Sequence, residues 1–290
     1  MLNKLILGTV QFGIDYGINN ASGKITKENI FKILNYCEQN NMLNLDTAAS
    51  YGDSEQIIGD YVNQNSNVKF KIISKLNLYN QSFYESLEKS INRLNIKNLD
   101  TILFHSYDDY LKHKLYLPEF KYKYQGKLFN KIGVSVYTNV EVEGVINDNN
   151  IDVVQAPFNI LDNASKREET YIKVKKAGKI LHTRSVFLQG LIFKNSNNLK
   201  GEFSSLKTPL KYIEKLCKMY KLSINELALS YVLSKTYIDG VLIGIDNVNQ
   251  LINNLEIAYY KIPDTLYNEI DNLIVQDINI LNPKNWLKNR

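Results

Sequence analysis

Eight short apolar runs, separated by stretches of helical periodicity, constrain this chain more than any other feature. The runs are Leu5 to Leu7, Leu43 to Leu45, Phe70 to Ile73, Thr101 to Phe104, Ile132 to Ser135, Ile151 to Gln155, Ile180 to Thr183 and Val241 to Ile243. Each is short and largely apolar, as strands covered on both faces are. Between them, Ile30, Ile33, Leu34 and Cys37 keep the spacing of an amphipathic helix. Ser54, Ile57, Ile58 and Tyr61 repeat it, with Ser54 on the cap side. Leu87, Ile91 and Leu94 form a third stripe, and Val248, Leu251, Ile252 and Leu255 another. Ser223 and Glu226 have the spacing of a capping box ahead of Leu227, Ala228, Tyr231 and Val232. Strands alternating with helices in this way predict an α/β fold, a (β/α)8 TIM barrel, as a single domain over residues 1–290. A doubly wound sheet is the competing architecture. It would want a Gly-x-Gly-x-x-Gly turn after the first strand, and Gly8 and Gly13 do not have that spacing.

The connection between the seventh and eighth runs is longer than the rest, a long loop at 190–222. It holds a loop from Lys194 to Lys207 and a helix around Leu210 to Tyr220. It reads either as a strap or lid over a cofactor or as a surface insertion. A last helix, at about 263–276 and centred on Thr265 to Ile274, trails beyond the eighth unit. The tail from Asn282 to Arg290, rich in Lys and Asn, reads as solvated surface.

Four polar residues end four consecutive runs: Asp46, Tyr51 in the following turn, Lys75 and His105. Residues at the carboxyl ends of successive parallel strands converge on one mouth when the strands close into a barrel. A free phenol has a pKa of about 10 and donates sluggishly at neutral pH. A nearby ammonium favours the phenolate, so Lys75 is expected to lower the pKa of Tyr51, with Asp46 orienting the lysine. His105 can hydrogen-bond a carbonyl oxygen. Such a device suits protonation of an alkoxide as it forms. That requires a hydride donor, which no side chain can be, so a nicotinamide cofactor is implied. Taken singly, each of the four has a plain structural reading: a surface lysine, a buried histidine, a turn aspartate, one tyrosine among 20.

These segments resemble the aldo/keto reductase family. Leu7-Gly8-Thr9-Val10-Gln11-Phe12-Gly13 is similar to its opening strand and loop. Leu45-Asp46-Thr47-Ala48-Ala49-Ser50-Tyr51-Gly52-Asp53-Ser54-Glu55 is similar to its Asp/Tyr signature. Ile73-Ser74-Lys75, Leu103-Phe104-His105, Gly133-Val134-Ser135 and the run from Val153 to Asn159 follow in the family's order. Ile243-Gly244 through Asn254 resembles its final cofactor segment.

The resemblance implies a barrel, reversible carbonyl reduction and NAD(P)H bound without a separate nucleotide domain. It makes Tyr51 the proton donor, tuned by Lys75 and Asp46, with His105 orienting the substrate. It places Gly8, Thr9, Asp46, Ser135, Gln155, Arg184, Ser185, Leu188, Gly190, Gly244, Asp246, Gln250 and Asn254 around the cofactor. Ser135 and Gln155 match the positions that hold the nicotinamide carboxamide, although Val136 stands where many members have Asn. Arg184 occupies the place of an aromatic that often stacks on the nicotinamide. It can stack there, bind an acid or a diphosphate, or pair with a barrel carboxylate. Around the 2′ position the chain offers Gly244, Asp246, Asn247 and Gln250 and nothing basic, which leans towards NAD(H). Asp246 reads alternatively as a helix cap, and Asn254 matches an adenine contact.

The expected substrate walls are Phe12, Tyr16, Tyr51, His105, Phe158 and Phe187. The run Arg184-Ser185-Val186-Phe187-Leu188-Gln189-Gly190 resembles a bacterial subgroup linked to carbohydrate metabolism, which implies a sugar or sugar derivative. The other function class is a cofactor-binding regulatory or interaction subunit on the same barrel with little turnover.

The bulk numbers narrow the partners. A net charge of +5 without a basic run of five argues against nucleic acid. No window is apolar enough to span a bilayer, and no leader is expected. Two distant cysteines, Cys37 and Cys217, read as buried thiols in a reducing, cytoplasmic compartment. No His/Cys spacing suggests a metal, so a metal-dependent hydrolase is disfavoured. The partner is a small carbonyl compound, and oligomeric state is not legible.

Overall fold

The computed structural model describes residues 2–20, 22–65, 69–260 and 262–286. Eight strands close in sequence order into one ring: β1 (Leu5–Gly8), β2 (Asn44–Ala48), β3 (Lys71–Leu76), β4 (Leu99–Phe104), β5 (Phe129–Ser135), β6 (Val153–Pro157), β7 (Ile180–Arg184) and β8 (Gly240–Gly244). Every neighbouring pair is parallel, and β1 joins β8 through Leu5–Val241 to Gly8–Gly244. This is the (β/α)8 barrel expected from the alternation.

The apolar residues divide between two cores. Ile6, Ile73, Leu103, Val153 and Leu242 fill the inside of the ring, as in a packed barrel. A larger core lies between the strands and the surrounding helices. The helix Lys27–Gln39 buries Ile30, Ile33, Leu34 and Cys37, the stripe read from the sequence. The helix Ile224–Ser234 opens with the Ser223/Glu226 capping box, both halves formed. Cys37 and Cys217 are free and buried.

The structure moves several expected boundaries. Asp46 and Lys75 do not follow their strands but lie within them. β2 and β3 continue, pairing Thr47 with Ser74 and Ala48 with Lys75, because each side chain finds its counter-charge inside the ring. The final helix is Asp264–Asp271 and stops short of 276. The Asn163 amide donates to the carbonyls of Ile270 at 2.6 Å and Leu273 at 2.8 Å, which satisfies the helix end there. The tail is not wholly solvated. Trp286 is buried, donates its indole N–H to Ile280 O at 2.7 Å and meets the Phe203 ring edge-on. The turn Pro283–Asn285 thereby folds over the barrel mouth; residues 287–290 lie outside the described part.

The long connection is built from 3₁₀ turns at Leu188–Phe193, Ser196–Asn198 and Gly201–Leu206, then the helix Lys207–Tyr220. Leu191, Ile192, Leu199 and Leu206 are buried beneath it. Glu214 pins it by accepting from Ser196 N at 2.8 Å and Oγ at 2.7 Å.

His182 sits in the middle of β7, and a Cβ on Gly240 would meet its ring at 2.5 Å. Its Nδ1 is buried without a hydrogen-bond partner among the described residues. Burial lowers its pKa from 6.5 to about 4. A folded value below the unfolded one gives stability that is present above pH 6.5 and lost as pH falls towards 4. Stability is therefore expected to drop by about 2 kcal/mol between pH 7 and pH 5 on account of this residue. Urea unfolding at both pH values measures it. His182→Leu should lessen the pH slope by that amount, and an unaltered slope would show that the imidazole is not the cause.

Candidate active site

The carboxyl ends of the strands open into a cleft of about 870 Å³. Its floor is a buried ion pair, Lys75 Nζ to Asp46 Oδ1, across adjacent strands. The other carboxylate oxygen, Asp46 Oδ2, accepts from Gln155 Nε2 at 2.8 Å. Lys75 Nζ lies 5.2 Å from the centroid of the Tyr51 ring, close enough for ammonium and phenol to shift each other's proton affinity. The His105 ring meets Tyr51 edge-on at 6.0 Å, and Ser50 Oγ is 3.2 Å from its Nδ1. The four residues singled out in the sequence therefore meet at one point.

Tyr51 is positioned by backbone contact. Its turn follows β2, with Tyr51 N donating to Ala48 O and Ser54 N to Tyr51 O, both at 3.0 Å. A Cβ on Gly13 would lie 1.6 Å from Tyr51 O, and one on Gly52, at φ 53°, would lie 2.4 Å from Gly13 O. The two glycines thus let the β1 and β2 loops touch main chain to main chain. Behind them Ser54 Oγ donates to Thr9 O at 3.0 Å, and Thr9 Oγ1 donates to Asp46 O at 3.0 Å. Glu55 accepts from Ser74 Oγ at 2.6 Å. The Ser-Glu end of the signature is scaffolding that ties the helix Ser54–Gln64 to the strands.

The protonation states follow from burial. Burial raises the Tyr51 pKa; the Lys75 ammonium opposes this and Asp46 adds to it, for a net rise. The expected lowering by Lys75 is outweighed, because a fully desolvated phenolate costs more than one neighbouring, already paired cation returns. Burial works to lower the pKa of Lys75, but Asp46 and Tyr51 overcome it and the ammonium is held above its ordinary value. Burial, with Lys75, Arg184 and Lys284, pushes His105 down to about 4. At neutral pH the site holds a neutral phenol, a charged lysine and a neutral imidazole.

Every residue expected around the cofactor lines this cleft: Gly8, Thr9, Asp46, Ser135, Gln155, Arg184, Ser185, Leu188, Gly190, Gly244, Asp246, Gln250 and Asn254. Tyr16, Tyr51, His105 and Phe187 line it as well. Phe12 and Phe158 do not, and both expectations are corrected. In the short helix Val10–Gly13, Gln11 faces the cleft while Phe12, one position on, turns into the core. Phe158 leaves β6 outward and stacks on Tyr231 at 5.6 Å beneath the outer helices.

Arg184 makes no ion pair with a barrel carboxylate among the described residues. It donates to Val136 O at 2.9 Å and Ser185 Oγ at 3.4 Å, and its guanidinium carbon lies 3.9 Å from the centroid of the Tyr137 ring. Asp246 is not the helix cap. Asn247 takes that role, accepting from Gln250 N, and Asp246 is left lining the cleft with Gln250 bridging to it. The segment after β7 crosses the cleft: Gln189 O accepts from Ile18 N at 3.0 Å, and Gln189 Nε2 donates to the Tyr16 hydroxyl at 2.9 Å. Ser185, Leu188 and Gln189 hold positive φ of 65°, 45° and 53° to make this path, a strained course for side-chain-bearing residues.

Tyr137 and Lys284 are lining residues that the sequence reading missed. Tyr137 stands two places beyond Ser135 at the same strand end, which is a signal. Lys284 comes from the tail, where charge alone gave none. Gln155 Oε1 is buried without a partner among the described residues, an acceptor suited to an amide N–H such as a carboxamide carries. Gln11 Oε1 is likewise unpartnered. With the amides of Gln250, Asn253 and Asn254 on the helix after β8 also lining the cleft, these residues fit a nicotinamide dinucleotide. Among the described residues there is no cluster of His, Cys, Asp and Glu that could hold a metal, and no helix is long and apolar enough to cross a membrane.

Residues 4–275 match the model of the aldo/keto reductase family. Two solved structures from Pseudomonas aeruginosa, each described as a "putative aldo-keto reductase", are similar in fold. One, a crystal structure, has a TM-score of 0.63 at 19% identity, covering 88% of this chain and 89% of that one. The other has a TM-score of 0.62 at 18% identity, covering 88% of each chain. At such identities the likeness is one of fold. No curated protein matches the chain.

Proposed function

This chain belongs to the aldo/keto reductase family and is an NAD(P)-dependent oxidoreductase of carbonyl compounds; from that premise we propose that Tyr51 is its proton donor. The observation that carries this is the convergence of Tyr51, Lys75, Asp46 and His105 at the floor of one cleft. A neutral imidazole at His105 can donate a hydrogen bond to the carbonyl oxygen and steer it towards the Tyr51 hydroxyl. As negative charge develops on that oxygen, Tyr51 gives up its proton. The Lys75 ammonium stabilises the phenolate left behind, and Asp46 holds the lysine in place. Bound NAD(P)H supplies the hydride. Ser135 and Gln155 would hold its carboxamide, and Asn254 its adenine end.

The substrate is an aldehyde or ketone, and a sugar or sugar derivative suits walls that combine Tyr16 and Phe187 with the amides of Asn19 and Gln189. Loss of absorbance at the reduced-nicotinamide band with a panel of aldehydes and aldoses tests the reading. Failure to oxidise the cofactor with any of them would refute it.

The cofactor is NADH. Asp246 would repel a 2′-phosphate while accepting from a ribose hydroxyl, and Gly244, Gln250 and Asn254 bring no positive charge. Asp246→Arg is expected to raise the NADPH-to-NADH ratio of kcat/KM by about 10- to 100-fold, the worth of a charge-assisted hydrogen bond. Steady-state rates with both dinucleotides measure it, and an unmoved ratio would place Asp246 away from the 2′ position.

A further inference from the structure

Charge is unevenly divided around the cleft. Asp46 and Lys75 neutralise each other at its floor, and Asp246 stands at the β8 end. At the other end two cations share one aromatic ring. The Arg184 guanidinium carbon is 3.9 Å and the Lys284 ammonium 4.4 Å from the centroid of Tyr137. Arg184 donates to the neutral oxygens of Val136 and Ser185, and Lys284 makes no ion pair among the described residues. The main chain that carries this ring is anchored: the Tyr137 carbonyl accepts from Arg167 Nη2 at 2.9 Å, and Arg167 pairs with Asp162. Both cations also bear on His105, next to the reacting groups.

Two like charges on one ring repel each other. An anion within reach of both would offset that repulsion. A guanidinium fork matches the oxygens of a carboxylate or phosphate, and the exposed Lys284 side chain adds a point charge beside it. The position argues against the cofactor's diphosphate as that anion. From the end of β7 the guanidinium reaches past β6 to Val136 beyond β5, whereas the proposed adenine contacts lie on the opposite side, along β8 and the helix Val248–Ile257.

The geometry points to an anion site here: the carbonyl substrate carries a carboxylate or a phosphate, gripped by Arg184 and Lys284 beside Tyr137 where all three line the cleft. This rests on the reading of Tyr51 as proton donor to that same carbonyl.

Two matched pairs test it, succinic semialdehyde against butanal and glyceraldehyde 3-phosphate against glyceraldehyde. The wild-type protein is expected to favour the charged member of at least one pair by about tenfold or more in kcat/KM, acting through KM. The pair that shows the preference tells carboxylate from phosphate. Lys284→Met should lower the ratio several-fold, with Arg184 keeping the remainder, and Lys284→Arg should keep it. No preference in the wild type, or a ratio untouched in Lys284→Met, overturns the site. So does a loss of dinucleotide affinity in Lys284→Met with the ratio intact, which would give the cations to the cofactor. If no carbonyl is turned over, the reading of Tyr51 fails separately. Calorimetry of succinate and inorganic phosphate with the dinucleotide-loaded protein then decides: binding weakened about tenfold by Lys284→Met upholds the anion site, and equal binding in both proteins removes it.

Discussion

Tyr51→Phe is expected to lower kcat/KM for carbonyl reduction by about 10²- to 10⁴-fold, the range for loss of a positioned general acid. The substitution removes one oxygen and keeps the ring that meets His105 edge-on and lies beside Lys75. Fold and dinucleotide affinity should therefore stay near wild type, and the loss should fall on kcat. Lys75, paired with Asp46 and held above its ordinary pKa, surrenders its own proton reluctantly. His105, with its pKa at about 4, carries no spare proton there. For the same reason the wild-type profile should show no acid limb from His105 between pH 8 and pH 5, and a fall only as pH approaches 4. Stopped-flow rates with a deuterated reduced cofactor separate chemistry from product release. A Phe variant within twofold of wild type would move the proton donor to another residue.

Lys75→Met should act on both stability and rate. The ion pair with Asp46 is buried, and removing one partner leaves a carboxylate with little beyond the Gln155 amide for company. Breaking such a pair costs about 3–5 kcal/mol. Without the ammonium, burial and Asp46 both hold the Tyr51 proton more tightly. A weaker acid gives slower reduction, and whatever activity survives should have its alkaline limb at higher pH. Thermal melts and pH–rate profiles read the two effects separately. Adding Asp46→Asn to Lys75→Met should recover much of the stability, because no uncompensated charge remains, without restoring turnover. An unaltered pH profile in the single variant would contradict the tuning role of the lysine.

Much of this was legible in the sequence because its signals are local. Short apolar runs alternating with helical stripes gave the ring of strands, and polar residues at four run ends gave the floor of the cleft. The failures share a physical cause. Asp46 and Lys75 ended the apolar runs but not the strands, since a charge inside a barrel is tolerated once its partner stands on the next strand. Phe12 and Phe158 were read as walls from their place near strand ends. The direction a side chain takes after a strand is set by the packing of the outer helices, which no spacing encodes. Lys284 sat in a polar tail whose return to the mouth depends on Trp286 finding a pocket against Phe203. The sign of the Tyr51 shift needed burial as well as neighbours, and only the folded arrangement supplies that.

The close approach of Gly13 and Gly52 bears on how this scaffold could be re-engineered. The reacting hydroxyl is indexed by two bare backbones in contact, a fixture with no tolerance for even one methyl group. Tyr137 and Lys284, by contrast, project from a strand end and an exposed turn that carry no such constraint. A mutagenesis library aimed at new substrates therefore belongs on those two residues and their neighbours, while the paired glycines are best left out of it.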